Sequence, residues 1–218
     1  MNTKQPFVIT ISRELGSGGR TIGQKLAAQL NVRFSDKNLI NDLMARFNLT
    51  ASEIERIKAK DGNWFTRFLE VVAPMPNTAN FAGYEPASRI DWNKHIPQEE
   101  IFAAESEIVR GIAAEGSCVI AGRSAFHILK DHPNHLNILV QSPLEKRLQR
   151  VMKKQGLSRQ EAAAAIESVD DSRERYVKRF AGVSRYDARN YDLVLNVGEL
   201  TDDEAVHLIL KFIKCTDR

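Results

Sequence analysis

The sequence predicts an α/β protein of three layers, in which a five-stranded parallel sheet is covered by helices on both faces. Three observations predict it. Short apolar runs rich in β-branched residues, such as "FVITI", "CVIA", "NILV" and "LVL", alternate with longer stretches whose apolar residues recur every three or four positions. Strands alternating with helices form a parallel sheet, because each helical crossover returns over a sheet face. The first run leads into a glycine-rich turn, "GSGG", that opens a helix. A strand carrying such a turn belongs inside the sheet, where its carboxyl end faces the ligand crevice. A length of 218 residues suits one such domain.

In chain order, residues 7–12 read as the first buried strand. Residues 20–30 follow as a helix with Ile22, Leu26, Ala27 and Leu30 on one stripe. "NVRFSD" reads as a short second strand ending at Asp36. Two helices are expected over 37–47 and 50–60, the second with a capping box of Thr50 and Glu53. Residues 62–97 differ: they hold Trp64, Phe65, Phe68, Phe81, Tyr84 and Trp92 with four prolines and no sustained period. A short helix and then an irregular insertion are expected there. Such an aromatic-rich segment serves as a lid over a bound molecule, as a packed insertion or as a homodimer contact. Periodicity returns as a helix over 98–115, marked by Ile101, Ile108, Ile112 and Ala113. "SCVIAG" is the third strand and "HLNILVQ" the fourth. Pro143 is expected at the first position of the next helix, which continues through Leu144, Leu148, Val151 and Met152. Ser158 and Glu161 cap a long arginine-rich helix to about Phe180. "YDLVLNV" is the last strand, and 201–214 a closing amphipathic helix. The whole chain, 1–218, is read as one domain with 62–97 inserted.

Composition excludes several classes. A net charge of +3 is too small by itself to indicate nucleic acid. The two cysteines, Cys118 and Cys215, form no CxxC pair, so a structural zinc site is not expected. The apolar run near the N-terminus is too short for a signal peptide, and no stretch reaches the roughly 18 apolar residues of a membrane span. The expectation is a cytoplasmic protein with no membrane partner.

The glycine turn suggests phosphate chemistry. The phosphate-cradling loop GxxxxGK[ST] surrounds phosphates with backbone amides, bridges them with its lysine and offers its hydroxyl to magnesium. Here Gly19, Arg20 and Thr21 fill the last three places, and Glu14 stands where the first glycine belongs. Gly16, Ser17, Gly18, Gly19, Arg20 and Thr21 are therefore the candidate ATP-phosphate residues, with Thr21 the magnesium ligand. The alternative is a glycine-rich βα turn without a ligand. Further arginines follow later strands. Arg123 comes after the third strand, and Arg147 and Arg150 lie one turn apart on the helix after the fourth. Asp170, Arg173, Arg175 and Arg179 share the long helix. Arginines gathered at one sheet edge suit phosphoryl transfer, which needs positioning and charge neutralisation more than a covalent nucleophile.

Taken in order, "ITISRELGSGGRTIGQKLAAQL", "CVIAGRSAFHIL", "SPLEKRLQRV" and "DDSRERYVKRF" resemble the cytidylate kinase-like family of P-loop nucleoside monophosphate kinases. The resemblance implies a P-loop NTPase fold, ATP and magnesium as co-substrate and cofactor, and transfer to a nucleoside monophosphate, CMP or dCMP first. It implies that the glycine loop holds the ATP phosphates. It assigns Arg123, Asp170 and Arg173 to the acceptor, with Asp36 where the family's monophosphate-binding region begins. Arg147, Arg150 and Arg175 become the arginines that clamp the transferred group, alongside Arg20. The insertion at 62–97 would close over the acceptor. Ser124 stands where the family carries an acid after Gly-Arg, and an arginine replaces the loop lysine. Two other readings stay open: a kinase of another small metabolite, and a regulatory protein that binds ATP without turnover.

Overall fold

A computed structural model describes residues 1–36 and 97–216. The helices expected over 37–47 and 50–60, and nearly all of the 62–97 insertion, lie outside the described residues.

The elements are β1 (Val8–Arg13), α1 (Gly19–Leu30), β2 (Arg33–Ser35), α2 (Gln98–Ala114), β3 (Cys118–Ala121), α3 (Ala125–Ile128), β4 (His135–Gln141), α4 (Leu144–Gln155), α5 (Arg159–Ala181), β5 (Leu193–Asn196) and α6 (Asp202–Thr216). A 3-10 turn, Ala188–Asn190, precedes β5. The strands form one sheet in the order β2-β3-β1-β4-β5, and every pairing is parallel. β1 is central, as its glycine turn predicts.

Alternation along β1 feeds two cores. Ile9 and Ile11 join Ile22 and Leu26 of α1 with Val206 and Ile209 of α6 on one face. Val8 joins Ile101, Val109 and Ile112 of α2 with Ile120 of β3 on the other. Successive side chains of a strand point to opposite faces, so a continuous apolar run is the pattern of a strand covered twice. A third cluster, Leu148, Val151, Ala162 and Ile166, binds α4 to α5.

Boundaries follow local chemistry. Ser158 accepts from the Glu161 amide at 3.3 Å and the Glu161 carboxylate accepts from the Ser158 amide at 2.8 Å, completing the capping box. Pro143 differs from expectation by one place: its ψ of 143° is extended, so it is the N-cap, and helix α4 starts at Leu144. α3 was not expected; four residues are too few to display a period.

Candidate active site

The site is built around the loop between β1 and α1. Gly16 (φ +82°) and Gly18 (φ +86°) take the left-handed conformation that costs other residues most. A Cβ on Gly16 would stand 2.7 Å from the Arg147 carbonyl oxygen, so the loop lies against the backbone of α4. Gly18 is the N-cap of α1, without a side-chain cap and with no acidic residue in the first turn. The amide of Ile22 makes a helical bond to the Gly18 carbonyl at 3.0 Å. The earlier amides, of Gly19, Arg20 and Thr21, therefore lack intrahelical partners and sit at the positive end of the helix dipole. That end is an anion site in waiting.

The loop's register is one residue away from the one read in sequence. Gly18 is the left-handed glycine that closes the turn. Gly19 is already helical and is small for another reason: a Cβ there would lie 2.6 Å from the Arg13 Cβ. With Gly18 closing the turn, Arg13 occupies the first-glycine place, Gly19 the lysine place and Arg20 the hydroxyl place, with Thr21 next. Consecutive glycines hid this, since sequence cannot say which of Gly18 and Gly19 needs positive φ.

Buried charges hold the loop. Asp170 of α5 accepts from the Leu15 amide at 3.0 Å. Arg147 donates Nε to the Leu15 carbonyl at 2.8 Å and pairs with Glu14 at 3.2 Å and with Asp170. Glu14 also accepts from the Ser142 amide at 3.1 Å, tying the loop to the start of α4. Ser17 is buried and turns its hydroxyl to the Glu14 carbonyl at 3.0 Å, so its side chain closes the loop. Arg147 and Asp170 are thus the loop's clamp in this structure.

The sheet edge beside the loop carries a second cluster. Asp36, just past β2, pairs with Arg20. After β3, Gly122 (φ +76°), Arg123 (φ +62°) and Ser124 (φ +51°) run consecutively through left-handed space. A non-glycine residue there costs roughly 1–2 kcal/mol, and strain of this kind gathers at functional sites. Arg173 donates to the Arg13 carbonyl at 3.4 Å and pairs with Asp170 at 3.3 Å. Arg185, also buried, donates to the same carbonyl and pairs with Asp170 at 3.4 Å. On the other side of the loop, Arg150 pairs with Asp202 at 3.0 Å, and a Cβ on Gly18 would overlap its guanidinium.

The fold therefore gathers Gly16, Ser17, Gly18, Gly19, Arg20, Thr21, Asp36, Arg123, Arg147, Arg150, Asp170 and Arg173 at one edge. It does not bring Arg175 there. Five residues from Asp170, Arg175 lies on another face of α5, where it lines a shallow groove with Ala164, Glu167, Ser168 and Asp171. Sequence reading missed Arg13 and Arg185. Arg13 ends β1 as Arg123 follows β3, a signal that was available. Arg185 lies in an aperiodic connection and offered none.

A parallel sheet of order β2-β3-β1-β4-β5 with a glycine loop after its central strand and arginines around it is the P-loop kinase fold. It is shared with a structure from Eubacterium ventriosum (TM-score 0.66, 23% identity, 95% of this chain and 98% of that one). Shikimate kinase from Acinetobacter baumannii shares it too (TM-score 0.53, 13% identity, 98% and 96% covered). The chain belongs to the cytidylate kinase-like family, whose model matches residues 8–199. It is a nucleoside monophosphate kinase-like phosphotransferase. The cytidylate kinase of Pyrococcus horikoshii is 26% identical over 209 residues, covering 95% of this chain and 88% of that one. The cytidylate kinase of Methanopyrus kandleri is 31% identical over 108 residues, covering 46% of this chain and 56% of that one. No helix among the described residues is long and apolar enough to cross a membrane.

Proposed function

We propose that the chain transfers the γ-phosphoryl group of ATP to a nucleoside monophosphate, with CMP or dCMP as first candidates. One observation carries this reading. The glycine loop follows the central strand, with Arg150 on the helix after β4 to one side and Asp36 past β2 and Arg123 past β3 to the other, so a donor and an acceptor phosphate can meet across it. The relatives named cytidylate kinase favour the cytosine nucleotides.

In this reading an acceptor phosphate oxygen attacks the γ-phosphorus in line, the bond to the β,γ-bridging oxygen breaks, and ADP leaves. No general base is needed, because the acceptor phosphate is already anionic. The amides of Gly19, Arg20 and Thr21 hold the donor phosphates, and Arg150 neutralises the charge that moves onto the leaving oxygen. Arg123 and Arg173 bind the acceptor, and Asp36 orients Arg20 towards it. Glu14, Arg147 and Asp170 keep the loop in place.

Among the described residues no three His, Cys, Asp or Glu side chains gather to hold a metal. The partly exposed Thr21, in the first turn of α1, is a hydroxyl that could share magnesium with the nucleotide. Magnesium bound there would spread charge over the β and γ oxygens.

The test is ADP release across a panel of monophosphates and small alcohols. Release with CMP or dCMP supports the reading, and release only with another acceptor replaces it. The glycine at the lysine place favours a second reading, a nucleotide-binding regulator; ATP binding with no release from any acceptor would select it.

A further inference from the structure

We propose that Arg13, an arginine in the first-glycine place of the loop, is a ligand for the acceptor's phosphate group. The inference rests on the acceptor reading above and adds to it a residue that the resemblance does not assign.

The side chain lies in a slot made for it. Its Cβ packs where a Cβ on Gly19 would come within 2.6 Å, and its guanidinium lies where a Cβ on Gly122 would overlap Nη1. Two glycines on different elements thus open a path from the loop to the end of β3. The backbone of Arg13 is held as well: its carbonyl accepts from both Arg173 and Arg185. Arg185 is itself pinned. Its amide donates to Glu174 at 3.0 Å, its carbonyl accepts from the Tyr191 hydroxyl at 2.7 Å, and its guanidinium meets Asp170 at 3.4 Å.

The electrostatics of the slot ask for an anion. Burial first, and then Arg173, Arg123 and Arg185, depress the pKa of Arg13 well below its ordinary value, with Asp36 opposing weakly. A guanidinium does not give up its proton in a protein. It therefore stays charged, buried and surrounded by other cations. Among the described residues no carboxylate forms an ion pair with Arg13. A phosphate monoester dianion at the mouth of the slot would relieve the repulsion and match the guanidinium fork. The slot opens between the ends of β1 and β3, beside Arg123 and Asp36. The guanidinium ends beside Gly122, on the β2-β3 side of β1 where Asp36 lies, whereas Arg150 belongs to the helix that follows β4 on the other side, so the acceptor, not the donor, is taken as its ligand.

The test uses the full chain without ATP. Thermal midpoints are measured with inorganic phosphate, CMP and cytidine at matched ionic strength, for wild type, Arg13→Gln and Arg13→Lys. The expected result is that phosphate and CMP raise the wild-type midpoint while cytidine does not, and that Arg13→Gln loses the rise. The unliganded Arg13→Gln midpoint should be equal to or above wild type, because repulsion is removed; a purely structural arginine would lower it. Arg13→Lys should weaken phosphate about tenfold through loss of the fork, which decides the matter if Arg13→Gln does not fold. Wild-type phosphate affinity in either variant overturns the assignment. In turnover assays Arg13→Gln should raise the acceptor's KM about tenfold or more and leave that of ATP within about twofold. A selective rise for ATP overturns the assignment too. Loss of phosphate binding in Arg13→Gln, with no ADP release from any monophosphate, would retain Arg13 as an anion ligand and discard the kinase reading. ADP release from CMP with an unchanged acceptor KM would do the reverse.

Discussion

At the scale of single residues, the site mixes groups that hold the loop with groups proposed above to meet the acceptor. Arg147 and Asp170 belong to the first kind. Both are buried, and each finds its charge partner in the other. Removing one partner of a buried pair leaves the other uncompensated. Arg147→Met should therefore lower stability by about 3 kcal/mol, read as an earlier urea midpoint, with Arg173 and Arg185 limiting the loss by their contacts with Asp170. Arg123 belongs to the second kind, and its left-handed φ of +62° makes it separable from the fold. Arg123→Gly removes strain, offset by a more flexible unfolded chain. Its stability should lie between no change and a gain of about 1 kcal/mol, while the acceptor's KM rises steeply. A KM that stays at the wild-type value would show that Arg123 does not touch the acceptor.

At the scale of elements, two helices deliver the charges and are anchored independently of them. α5 starts at a complete capping box and ends at Gly182, φ +69°, its left-handed C-cap. Asp170 and Arg173 sit about three and four turns beyond the cap, where Asp170 meets Arg147 of α4 and the Leu15 amide of the loop. Ser158→Ala should cost about 1 kcal/mol of stability and leave both substrates' KM values unchanged. A change in acceptor KM would mean that the cap controls where Arg173 stands. α1 works in the opposite sense. Its N-terminus has no side-chain cap, so its amides stay free, and its C-terminus closes on Asn31 in left-handed conformation (φ 52°). An uncapped helix start is locally unfavourable, and a bound phosphate supplies the missing acceptors.

At the scale of the whole molecule, one half-buried histidine couples stability to pH. His135 begins β4, and its Nε2 lies 3.1 Å from the Thr10 hydroxyl of β1. Burial chiefly, with His132 adding to it, lowers its pKa from 6.5 to about 4, against the Leu129 backbone hydrogen bond. The unfolded chain takes up a proton near pH 6.5 that the folded chain refuses until about pH 4. Stability should be full above pH 6.5, fall as pH drops towards 4 and level off below. Urea titrations of wild type against His135→Asn across that window measure it. The difference between the two should shrink as pH falls, and a constant difference would mean that His135 is not held neutral.

Much of the layered fold was legible in the sequence. "HLNILVQ" is β4 from His135 to Gln141, and the capping box of α5 stands where Ser158 and Glu161 place it. These features are local: strand and helix periods and caps arise from backbone geometry over a few residues. The glycines and arginines of the edge were legible as residue types after successive strands. Which glycine carries positive φ was not, because Gly18 and Gly19 are equivalent in sequence and only packing against Arg13 separates them. The convergence of Arg173 and Arg185 on the Arg13 carbonyl joins residues 160 and 172 positions apart. The absence of Arg175 from that cluster depends on which face of α5 meets the loop. Local chemistry decides what each segment becomes; strand order and helix rotation, set by burying two cores at once, decide which charges meet.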